Sequence, residues 1–349
     1  MIGQTLISPD WTTFVKQQTG DVPIYYSPAW LDLIATLYGY SVIPLTSVNG
    51  SRQITGFLPL CFMSSPLTGS RLVSLPFSDH CPLLAVDESS ANDLVDQAVQ
   101  LARQKDVRYL ELRTGVNEAL ARRKDMVEGN LYVRWSLPLL TDPDARWAKL
   151  RKPVQRQIKK ARNAGVQVRL ADRREDLERY YRLHLQTRCK KHGMPAQPRR
   201  FFYNLWDAFS ASGALQLLLA EYRGNLIAGM ILLASGTTVR YAYGASEERY
   251  LSLAPNNLLM WSAITWASEH GYQTLDLGRT AIENEGLMEF KRRWGASQEA
   301  LPYYYYPRKA GLAATSERSW RFRLLTACWS KLPLALSGSL SSVLYKHLG

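Results

Sequence analysis

Two cations flank a short polar loop in the last third of the chain. The stretch "DLGRTAIENEGLMEFKRRWGA" begins at Asp276 like the end of a buried strand and closes as a basic, aromatic helix. Arg279 and Lys291 stand at the two ends of the loop, twelve residues apart. A guanidinium at a strand end can hold a phosphate or carboxylate with two hydrogen bonds, where α/β sheets usually bind ligands. The pattern favours an anion site with Lys291 and Arg279 as catalytic candidates.

Each cation also has a purely structural interpretation. Lys291 belongs to the run "KRR", which is compatible with a solvated helix face, and Arg279 has Glu283 and Asp276 nearby as ion-pair partners. We expect Asp276 to hold Arg279. Both interpretations stay open from the sequence alone.

Chemistry that develops a negative charge is compatible with such a site, and acyl transfer is one example. It passes through a tetrahedral oxyanion and needs donors aimed at that charge, but it does not require a protein nucleophile. The sequence shows no clear Ser-His-Asp or Cys-His arrangement. On the predicted helix, Leu287 and Phe290 would face inward with Lys291 beside them.

Further residues are predicted to bind substrate around the same crevice. Tyr243 ends the strand-like run "YAYGAS", and Asn256 or Asn257 is predicted to cap a helix whose free N–H groups suit an anion. Arg188 and His192 share a helix face at i, i+4. The full set of binding candidates is Tyr243, Arg188, His192, Asn256, Asn257 and Trp294.

The charge balance points to acidic partners. The 349 residues carry a net charge of +13, and the stretch 146–162 holds eight Arg or Lys and no acid. Such a cluster is compatible with a solvated face, nucleic acid or a phosphate-bearing substrate. Trp147 is the one aromatic residue in it, whereas nucleic-acid binders usually interleave several, so phosphate contact is favoured over tRNA.

Cysteine usage, the N-terminal sequence and the length of the apolar runs indicate in which compartment the protein works. The four cysteines form no C-x-x-C pair, so we predict neither a metal site nor a disulfide framework. The N-terminus lacks the pattern of a signal peptide, and no apolar run reaches the ~18 residues of a spanning helix. We expect a cytoplasmic protein, peripheral on the inner face of the plasma membrane if the tail binds lipid.

Helix and strand signals predict a mixed α/β (α+β) protein. Its mainly antiparallel sheets would be flanked by helices, in two domains, 1–145 and 146–310, followed by a basic helical tail, 311–349. The run "LYVRWSLPLL" would close the first domain, and "EALPYYYYP" would complete the second. In the tail, Trp320, Leu324, Leu325 and Trp329 fall near helical spacing among Arg and Lys. Such a helix lies in a membrane interface or docks on the domains.

The element order and several motifs resemble a known family. "LRKPVQRQIKKARNAGVQV" resembles the entry helix of the second domain in Fem-type (FemAB-like) transferases, which pair two GCN5-related N-acyltransferase (GNAT) domains. "YAYGASEERYLSLAPNNLLMWSAITWASEHGYQTLDLGRT" with "GLMEFKRRWGA" is similar to a branch associated with exopolysaccharide and PEP-CTERM gene clusters. The resemblance implies that Lys291 neutralises negative charge and that the segment around His192 lines the acceptor groove.

The donor is open because the sequence departs from its relatives in two ways. The chain has no stretch long enough for the helical-hairpin insertion of tRNA-using members, and "ASEERYLSLAPNN" lacks the glycines of an acetyl-CoA loop. The resemblance implies an acyltransferase that uses acyl-CoA or another acyl donor, without a metal. Its acceptor would be an amine or hydroxyl of a saccharide or lipid-linked envelope precursor. The alternatives are an aminoacyl-tRNA-dependent peptidoglycan-bridge enzyme and a non-catalytic polysaccharide- or membrane-binding scaffold.

Overall fold

The computed structural model describes residues 9–18, 22–66, 68–307, 326–327 and 329–347. These residues form two compact units. The first contains the described residues up to Val133 and those from Glu299 to Pro307, and the second contains Arg134–Gln298 and the described residues from Thr326 onward.

The first unit is built on one mixed sheet. Its strands β1 and β2 form the hairpin predicted around Asn49-Gly50, and β3 runs parallel to β5 while the other pairs are antiparallel. The strand order is β1-β2-β3-β5-β14-β6, with β4 beside β2. The buried face of α3 packs on β2 and β5 through an aliphatic core. The elements are α1 (Pro9–Gln17), α2 (Pro28–Tyr38), β1 (Ser41–Val48), β2 (Ile54–Met63), β3 (Arg71–Val73), β4 (Leu84–Ala85), α3 (Glu88–Gln104), β5 (Tyr109–Leu112), α4 (Glu118–Ala121), β6 (Val127–Gly129) and β14 (Tyr303–Tyr306).

The second sheet has the order β13-β7-β12-β11-β10-β9-β8. Strands β8 to β11 are antiparallel neighbours, and β11 and β12 are parallel. A π-helical turn, Gln186–Lys191, follows α7 directly. The elements are β7 (Tyr132–Pro138), α5 (Pro143–Lys149), α6 (Lys152–Asn163), β8 (Gln167–Leu170), α7 (Arg174–Leu185), α8 (Arg199–Phe209), β9 (Leu215–Tyr222), β10 (Asn225–Ser235), β11 (Thr238–Ser246), α9 (Pro255–Glu269), β12 (Thr274–Ala281), α10 (Glu285–Arg293), β13 (Ser297–Ala300) and α11 (Leu334–Leu344).

Local signals at helix starts are confirmed at two places and wrong at one. The Ser27 hydroxyl accepts from the Trp30 amide at the start of α2, and Pro153 lies in the first turn of α6, where the helix restarts. The predicted cap of α9 at Asn256 or Asn257 is wrong, because the helix begins at Pro255. Proline has no N–H to satisfy and its φ suits a first helical position, so the helix starts at the proline itself.

Two strands were predicted as strands but assigned to the wrong sheet. β7 was expected to close the first sheet, but it lies between β13 and β12 in the second. β14 was expected to complete the second sheet, but it pairs with β5 and β6 in the first, where Tyr304 faces Leu112 on one side and Glu128 on the other. Aromatic and β-branched residues favour a strand, while the partner strand depends on long-range packing that local sequence does not encode.

The described part of the tail packs on the second unit. Lys190 donates its ammonium to the carbonyl oxygens of Leu332 (2.6 Å) and Ser330 (3.1 Å), and the Ala196 amide donates to the Ser341 hydroxyl (3.1 Å). The predicted interfacial positions 320, 324 and 325 lie outside the described residues. Among the described residues, every helix is too short or too polar to traverse a bilayer.

Replacing Tyr304 with alanine tests the assignment of β14 to the first sheet. Tyr304 is only 1% exposed, so we expect the first unit to lose about 3–5 kcal/mol of stability. Hydrogen exchange should lose protection in β5 and β6. The half-buried neighbour Tyr306→Ala is the matched control and should have a smaller effect. Loss of protection confined to β12 and β7 would contradict the assignment.

Candidate active site

The parallel strands β11 and β12 separate soon after they begin. They pair at Thr238–Thr274, Val239–Leu275 and Arg240–Asp276, that is, over three positions. Immediately beyond, β12 bends at Gly278, whose φ of +73° favours glycine, and β11 carries a bulge opposite β10. The two strands therefore diverge towards their carboxyl ends, the edge at which α/β sheets usually bind ligands.

Asp276 joins three neighbouring strands at this point. Its carboxylate accepts from Arg240 on β11 (2.9 Å) and Arg134 on β7 (3.3 Å), and from the Gly278 amide (2.7 Å). Asp276 is buried. Asp276 thus has a structural role, as expected. The arginines that bind its carboxylate lie on the two flanking strands, far from it in the sequence.

Lys291, on α10, stabilises the bend of β12 by hydrogen bonds. Its ammonium donates to the Gly278 oxygen (3.0 Å), the Arg279 oxygen (3.2 Å) and the Thr280 hydroxyl (2.7 Å). The side chain is 5% exposed, and its donors meet oxygen acceptors as a buried ammonium requires. The prediction that Leu287 faces inward is wrong, since it is 38% exposed and Lys291 is the residue that α10 buries.

Arg279 shares its surroundings with Arg188 and with a tyrosine from the tail. Tyr345, which directly follows α11, is buried, and burial raises the pKa of its phenol to about 12. The positive charges of Arg188 and Arg279 both act on this phenol and oppose the rise in its pKa. The Nε of Arg188 is buried and has no hydrogen-bond partner among the described residues.

The π-helical turn places Arg188 and His192. The His192 amide bonds to the Thr187 oxygen and the Met194 amide to the Arg188 oxygen, while the Thr187 hydroxyl is tied to Ser246 at the end of β11. Such turns are frequent at functional sites. One side of His192 is open to solvent, but the surrounding protein partly desolvates the ring. This desolvation lowers its pKa, and the charges of Arg188 and Lys191 act in the same direction.

Tyr243 belongs to an aromatic cluster beneath the crevice. Its ring centroid lies 5.4 Å from Phe202, 5.7 Å from Phe201 and 6.4 Å from His184. His184 is buried and bonds to the Gln197 side chain at 2.8 Å. Burial lowers the pKa of His184 to about 3, and the positive charge of Arg188 adds to this effect, so the imidazole is neutral at neutral pH.

The remaining predicted residues divide between the crevice and the packed interior. The Asn256 amide donates to the Ser246 hydroxyl (3.3 Å), which places it beside the end of β11. Asn257 donates its main-chain N–H to the Ala254 oxygen in the first turn of α9. Trp294 is buried against Phe290 at the end of α10.

Sequence patterns missed Arg134, Arg240, Tyr345 and the π-helical turn. Arg240 does carry a signal, because it is a charge in an otherwise apolar and aromatic strand, "TVRYAYGAS". Tyr345 carries none, since its role depends on where the tail docks.

Comparison with known proteins finds a GNAT domain in the chain. Residues 148–292, which include most of the crevice, match the family described as "Acetyltransferase (GNAT) domain". The lipid II:glycine glycyltransferase of Staphylococcus aureus (strain USA300) is 27% identical over 159 residues, 43% of this chain and 30% of that protein. Its namesake from Staphylococcus haemolyticus (strain JCSC1435) is 36% identical over 85 residues, 22% of this chain and 20% of that protein. The aligned segments thus span between 20% and 30% of these relatives.

Solved structures show the same architecture over most of the chain. FemX has a TM-score of 0.67 at 18% identity, covering 89% of this chain and 98% of its own. The chain contains a GNAT domain, and its fold is similar to that of FemX. A tandem GNAT protein from the clavulanic acid biosynthesis pathway gives a TM-score of 0.55 at 11% identity, with 85% and 93% of the two chains covered. The predicted tandem GNAT-like fold and the Fem-type resemblance are confirmed, and the exopolysaccharide branch stays a prediction.

Gly244→Ala tests how closely β11 is packed at the crevice. A Cβ on Gly244 would overlap the hydroxyl of the half-buried Tyr241, so we expect a loss of about 1–3 kcal/mol in urea unfolding. The double variant Gly244→Ala/Tyr241→Phe should recover part of that loss. Gly286→Ala, whose Cβ would meet only the Asn284 side chain at 4.0 Å, is the control and should not destabilise. Equal stability of Gly244→Ala and wild type would refute the close contact.

Acid should destabilise the second unit through His184. The pKa of His184 is about 3 in the folded state and about 6.5 in the unfolded state. Below pH 6.5 the imidazole of the unfolded chain therefore binds a proton, whereas that of the folded chain stays neutral. Stability should fall with decreasing pH by up to ~1.4 kcal/mol per unit, starting near pH 6.5. His184→Gln should be less stable at pH 7 but have a shallower slope between pH 6.5 and 5 in urea titrations.

Phe202→Leu is the matched control for His184→Gln. It loosens the same aromatic cluster without removing a titrating group, so its slope should equal that of the wild type. If His184→Gln keeps the wild-type slope, the imidazole does not titrate as its burial implies.

Proposed function

We propose that this GNAT-domain protein transfers an aminoacyl group to an amine of a lipid-linked cell-envelope precursor. The proposal rests on Arg279, which lies on β12 just beyond its last pair with β11, and on Arg188, whose positive charge acts together with that of Arg279 on the Tyr345 phenol. Both arginines belong to the GNAT-matched segment. The names of the relatives, lipid II:glycine glycyltransferases, support the aminoacyl alternative over a saccharide acceptor.

The reaction needs charge stabilisation more than it needs a nucleophile on the protein. The acceptor nitrogen attacks the carbonyl carbon of an ester or thioester, the new C–N bond forms, and the C–O or C–S bond to the donor breaks. We assign the guanidinium groups of Arg279 and Arg188 to the negative charge of the donor or intermediate. His192, kept neutral by its surroundings, is the proposed acceptor of the proton from the amine.

Lys291 acts as a positioning residue in this proposal. Its contacts with the main-chain oxygens of Gly278 and Arg279 set the bend from which the Arg279 side chain emerges. A displacement of Arg279 by as little as ~1 Å is the kind of change that costs a large factor in rate.

The donor carries the aminoacyl group as an ester or a thioester. The segment before α9 has no glycine, and Pro255 at the helix start supplies no N–H, so fewer main-chain donors face a pyrophosphate there. The exposed cations of α6, including Arg156, Lys159 and Lys160, add a surface for a polyanionic carrier. These features favour an aminoacyl ester over acyl-CoA.

Mass spectrometry of the acceptor tests the function. The purified protein is incubated with a lipid II-type acceptor and either glycyl-tRNA or acetyl-CoA. We expect the acceptor to gain the mass of a glycyl group with the first donor. An acetyl product alone would keep acyl transfer but overturn the aminoacyl assignment, and no product on this or a saccharide acceptor would favour the scaffold alternative.

Arg279→Ala and Arg188→Ala should each lower kcat/KM at least about tenfold, or ~1.4 kcal/mol of transition-state stabilisation. The physical reason is the loss of a guanidinium donor to the developing negative charge. Arg279→Lys keeps the charge but not the two-pronged geometry, so it should recover only part of the loss. Arg52→Ala, an exposed arginine in the turn between β1 and β2, is the charge-matched control and should keep wild-type kinetics. Wild-type kinetics in both crevice variants would exclude the assignment.

A further inference from the structure

Helix α11 presents its large aliphatic side chains to solvent. Leu336, Leu340 and Val343 are 54%, 42% and 58% exposed, and their spacing of i, i+4 and i+7 puts them in one row. A row of exposed aliphatic residues on a single short helix is unusual in a folded protein and marks an interaction surface. We call these three residues the α11 stripe.

The opposite face of α11 explains why the stripe points outward. Ser337 and Ser341 are fully buried, and Gly338 lies close to Leu185 on α7. The Ser341 hydroxyl accepts from the Ala196 amide (3.1 Å), which fixes the rotation of the helix. Small residues thus face the protein and let the helix approach closely, so the larger residues are held away from the core.

The charge around the stripe is positive. Lys331 and Lys346, one beyond each end of α11, are exposed, and so is Lys191 on the π-helical turn against which the tail packs. No Asp or Glu occurs in the sequence after Glu317. A row of aliphatic side chains between lysines matches the interface of an anionic bilayer, where acyl chains lie below acidic headgroups.

A second copy of the chain fits this surface less well. A two-fold contact between α11 stripes would bring the flanking lysines of one copy towards those of the other. The repulsion between these like charges would oppose the contact. A bilayer with acidic lipids meets both the apolar and the charged part of the surface.

We propose that the α11 stripe and its flanking lysines dock the protein on an anionic membrane surface. The contact does not depend on the transfer reaction, but it deepens the proposed function in one respect. Tyr345, which lies with Arg188 and Arg279, follows α11 directly, so docking through the stripe would hold the tail end of the crevice near the lipid. The molecule that accepts the aminoacyl group would then reside in the membrane.

Vesicle co-sedimentation of the full chain tests the docking surface. We expect binding to vesicles that contain phosphatidylglycerol, weaker binding to phosphatidylcholine alone, and weakening by salt. The variant Leu336→Ser/Leu340→Ser/Val343→Ser should lower the partition coefficient at least about tenfold. Lys331→Gln/Lys346→Gln should reduce binding to the acidic vesicles and remove part of its salt dependence.

A matched control removes the same kind of residue elsewhere. Val48→Ser/Val86→Ser/Val116→Ser changes three exposed aliphatic residues of the first unit, which are 55%, 61% and 74% exposed, and should bind vesicles like the wild type. Hydrogen exchange provides a second measurement, because protection on adding acidic vesicles should rise in α11.

Three outcomes would overturn the proposal. They are wild-type binding by the stripe variant, no preference of the wild type for acidic vesicles, and concentration-dependent dimerisation that the stripe variant abolishes while vesicles are not bound. None of these outcomes depends on transferase activity, so the docking proposal and the proposed function fail separately.

Discussion

The buried ammonium of Lys291 binds three oxygen atoms of β12 where this strand bends, and these contacts stabilise the crevice. Lys291 reaches from α10 to the main chain of β12 at the point where that strand has left its parallel neighbour. On the other side of the bend, the carboxylate of Asp276 fixes the Gly278 amide and the arginines of two flanking strands. Burying such charges is costly unless each is paired, and here the paired groups define a single strand path. The position of Arg279 follows from that path.

The sequence predicted elements well because their signals are local. Ser27 before a proline, the Asn49-Gly50 turn and the restart of α6 at Pro153 each depend on a few neighbouring residues. Leu287 and Lys291 show where such reasoning fails. The helical periodicity predicted that Leu287 would be buried. Lys291 is buried instead, because three oxygen acceptors on β12 bind its ammonium.

The candidate site was predictable in composition and less so in arrangement. The loop between Arg279 and Lys291 stood out because its polar character interrupts an apolar pattern. The approach of Arg188 depends on a π-helical turn, and that of Tyr345 on a tail outside the GNAT-matched segment. Neither contact has a sequence signature, because each is decided by packing between residues far apart in the chain.

The position of β14 has a consequence for the order in which the protein is made. Residues Tyr303–Tyr306 lie between β5 and β6, whose own residues leave the ribosome much earlier. Until the last of these tyrosines emerges, one edge of β5 is unpaired and β6 is not joined to the sheet, although most of the hydrophobic core has already been synthesised. Unpaired edges of this kind favour aggregation. Nascent chains that stall before residue 303 should therefore need protection by chaperones more than the finished protein does.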